Sequence, residues 1–311
     1  MATTTSITTT YAGEAAAGYI SAALLSANTI ANGGITVKPN IKFKEVIRNF
    51  STDGLVANAS CDFADTSTIT TVEKTIIPES FQVNLELCKS SFRNDWDAMS
   101  MGISAFDTIP KTFQDYLLGY VAEKVATANE SNIWHGVNAT AGQYDGLVVL
   151  ATADATVVDV VGTTVTAANV IAELGKVVDA IPAALYGDPA LNLYVSQNVA
   201  RAYVRALGGF SVAATSNAGS DSKGTQWYDG GQGLSFDGVK IFVANGLTSN
   251  YMMAAKSDNL YFGTGLLSDL SFAKVLDMED LDGSQNVRVI MRYTAAVQFG
   301  IGAEIVLYTP V

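Results

Sequence analysis

One histidine, two cysteines and a short acidic run hold most of the chemistry open to this 311-residue chain. A Ser-His-Asp arrangement would have to use His135, because moving a proton off a serine needs an imidazole held by a carboxylate. His135 follows Trp134 at the end of a predicted helix, where a histidine is favourable against the last carbonyls, so its place predicts a helix cap. Asp277, Glu279, Asp280 and Asp282 offer the hard oxygens that calcium takes, but the alternating ligands, glycine and closing glutamate of a calcium loop are missing. They predict a solvated turn or a partner for Arg288 and Arg292. The glycines of "GTG" at 263–265 and "GGQG" at 230–233 lack the spacing of a phosphate or dinucleotide loop and predict turns. Cys61 and Cys88 show no ligand spacing and are expected as reduced thiols. Asn58, Asn129 and Asn138 each begin a glycosylation triplet, which without a secretory route is chance. No catalytic, cofactor or metal site is predicted, and the chain is not expected to be an enzyme.

Composition narrows the remaining classes. The formal charge of −12 arises from 30 acidic and 18 basic residues with no block of five like charges, which argues against a grip on nucleic-acid phosphates. Only 15% of residues are charged, where about 25% is usual, and 49% are hydrophobic. So little charge fits a membrane protein, an extracellular repeat or a subunit that hides its surface in an assembly. No run of about 18 apolar residues exists, since the stretch 12–27 is broken by Glu14, Gly18 and Ser21. "MATTTSITTT" lacks the positive charge and apolar core of a secretory signal, so synthesis and assembly in the cytoplasm are expected. No period of 20–50 residues recurs, which removes solenoids and propellers. The assembly subunit remains.

The elements carry the same message. Residues 1–40 read as an arm: a Ser/Thr leader, a small-residue helix over 11–27, and "NGG" at 32–34 as its stop. Its stripe of Tyr11, Ala15, Tyr19 and Ala23 is too thin to hold a free helix, so the arm needs a partner surface. "IKFKEVIRNF", "STITTVEKTII" and "FQVNLELC" within 41–88 predict a long hairpin with its tip near Asp65, marginal by itself in water. Asp107 or Thr108 and Pro110 open the strongest helix, over 108–134, with Phe113, Tyr116, Leu117, Tyr120, Val121, Val125 and Ala128 on its buried face. An α/β segment follows: a strand at 147–150, a helix with Val170, Ile171, Leu174, Val177 and Val178 buried, the strand "ALNLYV", and a helix capped by Ser196. Strands "GVKIFVANG" and "YMMAA" come next, and "QNVRVIMRYTAAVQFG" alternates as one long closing strand. Between them lies the glycine-rich loop 208–233. Trp96, Trp134 and Trp227 are candidate interface anchors.

The stretch "VEKTIIPESFQVNLELCKSSFRNDWDAMSMG", running into "IPKTFQDYLLGYVAEKVATANESNIWHG", resembles major capsid proteins of tailed bacteriophages, the Hong Kong 97 fold. "AGQYDGL" and "MRYTAAVQFGIGAEIVLY" are similar too, and the likeness in order and texture covers nearly the whole chain. It implies an α+β fold with an N-terminal arm at 1–40 and an extended loop at 41–92. A peripheral domain would comprise 93–144 and 259–311, with a spine helix at 108–134, and an α/β axial domain would comprise 145–258. It also implies self-assembly into hexamers and pentamers of an icosahedral head around double-stranded DNA, enclosed without sequence-specific binding. Portal, scaffold and decoration proteins are implied partners, and no membrane is. Family members that carry a cleaved scaffolding segment begin with it; here the arm comes first, so an uncleaved chain is expected. Lys74 could be nominated for the founding member's lysine–asparagine crosslink, but no partner is identifiable and the crosslink is not carried over.

Under that resemblance Tyr11, Tyr19, Phe63, Asp65, Lys74, Trp227 and Tyr228 become candidate assembly contacts, and the loop 208–233 would meet its copies around the ring axes. Glycines there would let the loop differ between rings of five and six. Net acidity would keep enclosed DNA from sticking. The rival readings are an encapsulin-like cargo compartment and, from another class, a tail, decoration or surface-layer protein, which the long helix disfavours.

Overall fold

A computed structural model describes residues 27–54, 56, 58, 59, 61, 65, 67–88, 111–207, 234–265 and 272–311. In chain order these form α1 (Asn28–Ala31), β1 (Thr36–Lys38), β2 (Glu45–Asp53), β3 (Thr68–Ile76), β4 (Glu79–Cys88), α2 (Lys111–His135), α3 (Leu147–Ala153) and β5 (Val158–Gly162). Then come α4 (Val170–Asp179), β6 (Leu191–Val195), α5 (Gln197–Leu207), β7 (Ser235–Phe236), β8 (Val239–Val243), β9 (Met252–Lys256) and β10 (Leu260–Gly263). β11 (Phe272–Asp277), α6 (Glu279–Asp282), β12 (Asn286–Phe299) and β13 (Val306–Pro310) close the chain. The fold is mixed α+β.

β12 organises one sheet. Its alternation places Val287, Val289 and Met291 inward while Arg288 and Arg292 stay exposed, as period 2 requires. It pairs antiparallel with β4 on one side, from Asn286↔Cys88 to Ala295↔Glu79, and with β11 and then β10 on the other. The long helix α2 lies over the inward face, where Leu118, Val121 and Val125 meet Val275, Val287, Val289 and Met291. Tyr120 and Ala128, expected on the buried face, are exposed, and Tyr120 instead lies near Lys124 Nζ. The aliphatic stripe that the sheet selects runs through Leu118, which the helical pattern alone did not favour over its neighbours.

The second sheet has six strands in the order β5-β13-β9-β6-β8-β7, with α4 and α5 packed on one face. All five residues of β6 are buried, because the other face is covered as well. That other face joins a core of Trp134, Tyr194, Phe242, Met253 and Leu307 with Phe262, Val297 and Phe299 of the first sheet, so apolar contact runs from one sheet to the other. Two placements differ from the sequence reading. β4 belongs to the first sheet rather than to the hairpin, and β13 runs beside β5 and β9 rather than closing the sheet under the long helix. Both pairings join residues far apart in the chain, which no local pattern encodes.

Local differences have similar causes. Residues 147–153, expected to begin as a strand, form α3 and bury Leu147 and Val148 together with Ala151 one helical turn on. A four-residue apolar run fits either state, and the neighbouring core chose the helix. Ile171 sits on the solvent side of α4.

Polar contacts stitch α1 to α2 inside the core. Glu130 accepts hydrogen bonds from the Thr29 amide (2.9 Å), the Thr29 hydroxyl (2.6 Å) and the Gly246 amide (3.3 Å). The Trp134 indole N–H donates to Thr29 Oγ1 at 2.9 Å, and Tyr194 donates to the Gly34 carbonyl at 2.5 Å. A β-carbon at Gly246 would come within 2.0 Å of the Glu130 carbonyl, so this approach requires glycine. Thr29→Val keeps the shape but strips Trp134 Nε1 and Glu130 Oε1 of one partner each. With Trp134 Nε1 left orphaned at about 1–3 kcal/mol, the variant should destabilise the chain clearly in denaturant melts, while Thr29→Ser melts near the parent. Equal stability of the two variants would contradict the role given to this hydroxyl.

Candidate assembly surfaces

β2 and β3 form a two-stranded ribbon of nine pairs, from Glu45↔Ile76 to Asp53↔Thr68, and neither strand joins another sheet. β-branched residues and alternation make both strands. Residues directly opposite share a face, so Val46/Thr75, Arg48/Glu73, Phe50/Thr71 and Thr52/Ile69 point one way and Ile47/Lys74 and Asn49/Val72 the other. The first face is turned to solvent. Phe50 is 66% and Ile69 64% exposed, diagonal neighbours beside an Arg48–Glu73 ion pair of 2.8 Å. Val72 on the second face and Phe43 below the ribbon are exposed too. Apolar groups on both faces of a free ribbon mark an interaction surface.

The base of the ribbon is fixed to the body. Ile76 is buried with Ile41 and Ala296, and a β-carbon at Gly263 would come within 2.6 Å of the Ile76 side chain. Gly263 therefore ends a strand and admits the ribbon, where a turn was expected. Lys74 Nζ contacts Asp154 Oδ2 at 2.5 Å and lies 3.4 Å from the centre of the Phe299 ring. Burial alone would raise the Asp154 carboxyl, but hydrogen bonds from Lys74 and Thr156 outweigh it and bring it down to about 2. Gln298 donates to the Thr75 carbonyl at 3.2 Å, and Lys38 pairs with Glu45 at 2.7 Å. The ribbon is thus held at one end and bare at the other.

The other sequence candidates separate. Asp65 is exposed in the connection between β2 and β3 and accepts from the Ser67 amide at 3.4 Å. Lys74 is engaged by its own chain. Tyr11, Tyr19, Phe63, Trp227 and Tyr228 lie outside the described residues, as does the loop 208–233. The acidic run makes turn contacts: Asp277 accepts from the Glu279 amide (3.1 Å) and Asp282 from the Ser284 amide (2.9 Å). Arg288 pairs with Glu86 at 2.7 Å. Among the described residues no group of three His, Cys, Asp or Glu is placed to hold a metal, and no helix is long and apolar enough to cross a membrane. Sequence reasoning missed Asp154 and Phe299 as the seat of Lys74, since neither shows any local signal. It also passed over Phe50, whose alternation in β2 was the available clue.

His135 ends α2 as expected, and it is neutral there. Its Nε2 accepts a hydrogen bond from the Thr248 amide at 3.0 Å, and its ring stands edge-on to Tyr251 at 5.0 Å. An accepting Nε2 means a neutral imidazole, and burial pushes its pKa below the ordinary value. The folded state then binds fewer protons than the unfolded one. This contribution is present above about pH 6.5 and declines as the pH falls from there toward the lowered folded value. His135→Gln offers an acceptor that does not titrate. Between pH 7.5 and 5.5 the parent should lose more thermal stability than the variant; parallel losses would contradict a neutral His135.

No family model matches the chain, and no curated protein matches it. Solved structures do. The capsid of a native GTA particle is 12% identical, with a TM-score of 0.60, covering 93% of this chain and 90% of that one. The capsid of Myoviridae phage XM1 is 11% identical with a TM-score of 0.56, covering 91% and 92%. A virus-like particle from Pyrococcus furiosus is 9% identical with a TM-score of 0.52, covering 95% and 98%. Identity this low carries the architecture and nothing finer. The chain has the fold of capsid shell subunits.

Proposed function

We propose that this chain is the major capsid protein of a tailed bacteriophage, a structural subunit that closes into an icosahedral head of hexamers and pentamers around double-stranded DNA. One observation carries the reading: a ribbon anchored at its base that exposes Phe50 and Ile69 with no second layer of its own. A fold shared with phage shells supports it. In the terms of the Hong Kong 97 fold, β2 and β3 are the extended loop laid over a neighbouring subunit and α2 is the spine helix. The first sheet belongs to the peripheral domain and the six-stranded sheet to the axial one. The residues Tyr11, Tyr19, Phe63, Asp65, Trp227 and Tyr228 are further contacts between copies, and Lys74 supports the interface by aiming the ribbon. Portal and decoration proteins, and a separate scaffold where one is used, are its partners in assembly.

The likeness to the Pyrococcus furiosus virus-like particle favours one second reading, an encapsulin-like compartment. Absorbance of purified particles at 260 nm separates the two, since a DNA-filled head absorbs strongly there.

Phe50→Asp tests the ribbon. Burying a phenylalanine contributes about 1.5–3 kcal/mol at each interface, and about 1.4 kcal/mol is a tenfold change. The variant should form at least about tenfold fewer particles by sedimentation and negative-stain imaging, with the melting of the unassembled chain unchanged. Particles at parental yield would contradict the assignment.

A further inference from the structure

The six-stranded sheet ends in two unlike edges. At one end α5 lies over β7 and β8, where Tyr203 donates to the Ser235 carbonyl at 2.9 Å and Val199 and Ala202 pack with Val239 and Ile241. With that side buried, Arg201 and Arg205 stand exposed on the solvent side, one turn apart, with Val204 half-buried between them. Among the described residues no acid pairs with either arginine, although the chain has 30 acidic residues against 18 basic. Arg205 in the last turn suits the helix dipole, but Arg201 one turn earlier has no such use.

At the other end β5 is the edge strand. Val158 and Val160 pack with the core beneath α4, so Asp159 and Val161 turn to the opposite face of the sheet, where Asp159 is exposed and Val161 is 65% exposed. The Val158 amide donates to the Ile305 carbonyl and the Gly162 carbonyl accepts from the Val311 amide, each at 3.0 Å. By alternation the peptide groups of Asp159 and Val161 point off the edge, away from β13. A charge such as Asp159 is an ordinary guard for an open edge; a bare valine beside it is not.

We propose that the α5 face of one copy docks on the β5 edge of a second copy, head to tail. The inference rests on the capsid reading and deepens it by naming two surfaces that join neighbours. An arginine has several N–H donors and no acceptor, and the β5 edge offers the Asp159 carboxylate and the outward carbonyls of Asp159 and Val161. Val204 then meets Val161. The two surfaces lie at opposite ends and on opposite faces of one sheet, so they cannot meet within a chain. Each copy supplies one of each. Such a contact repeats from copy to copy and closes into a ring when the rotation allows. A two-fold contact centred on either surface would instead set arginines against arginines or Asp159 against Asp159, like charges in both cases.

Two sets of variants of the full-length chain test the contact. Val161→Cys with Val204→Cys in one chain, on a Cys61→Ser and Cys88→Ser background, should give a ladder of covalent oligomers when concentrated protein is mildly oxidised and run on a denaturing gel. Either single cysteine should stay a one-chain species. Asp159→Lys, and Arg201→Glu with Arg205→Glu, should each lower particle yield at least about tenfold, with the melting of the unassembled chain unchanged. All three substitutions in one chain should restore the yield, because the reversed charges again face each other. A covalent dimer from a single-cysteine variant would mean a two-fold contact and overturn the proposal. So would the absence of a ladder from a double-cysteine chain that melts like its background, or parental yield from both charge variants. If the double-cysteine chain misfolds, the charge variants decide. The ladder is read whether or not shells close, so particles without a ladder remove this contact alone, and a ladder without shells removes the capsid reading alone.

Discussion

A two-stranded ribbon has two faces and no second layer, so it cannot bury its own side chains. Everything distinctive in this chain follows from that limit. Phe50 and Ile69 stand on one side of the β2–β3 ribbon and Val72 on the other, all exposed. A sequence with only 15% charged residues has little polar surface with which to offset them. On the proposed reading another copy completes the apolar area, and the fold is shared with the capsids of a native GTA particle and of phage XM1.

The body aims the ribbon. Ile76 enters the core at its base, admitted by the missing side chain of Gly263, and Lys74 is caught between Asp154 and Phe299. Phe299 ends β12, the same strand whose other end supports α2. The base of the ribbon thus touches, through Phe299, the strand that supports α2 and, through Asp154, the segment just after α3. Rigid attachment at one end and bare apolar surface at the other is what a subunit needs to hold a neighbour at a fixed angle.

Periodic elements were legible in the sequence because their period is a local property. α2, α4 and α5, the alternation of β12 and the β2–β3 hairpin follow from spacing alone. Residues 147–153 were not, because "LVVL" suits a strand as well as a helix until Tyr144 and Trp134 pack around it. Pairings such as β4 with β12 and β13 with β5 were hidden for a different reason: they join residues about 150–215 positions apart. At the candidate surface the hairpin and Lys74 were visible, but Lys74 stood out as a reactive lysine. Its actual partner lies 80 residues away. His135 was placed at its helix end correctly, and its neutral state has no local signal because burial and the Thr248 amide decide it.

The central claim is that the ribbon's exposed face is buried by a second copy of the same chain. Electron cryomicroscopy of purified particles, at a resolution that shows side chains, measures this directly. The account predicts a closed shell in which Phe50 and Ile69 of each subunit lie within van der Waals contact of a neighbour. Shells in which both residues face solvent, or a protein that stays monomeric at high concentration, would contradict it.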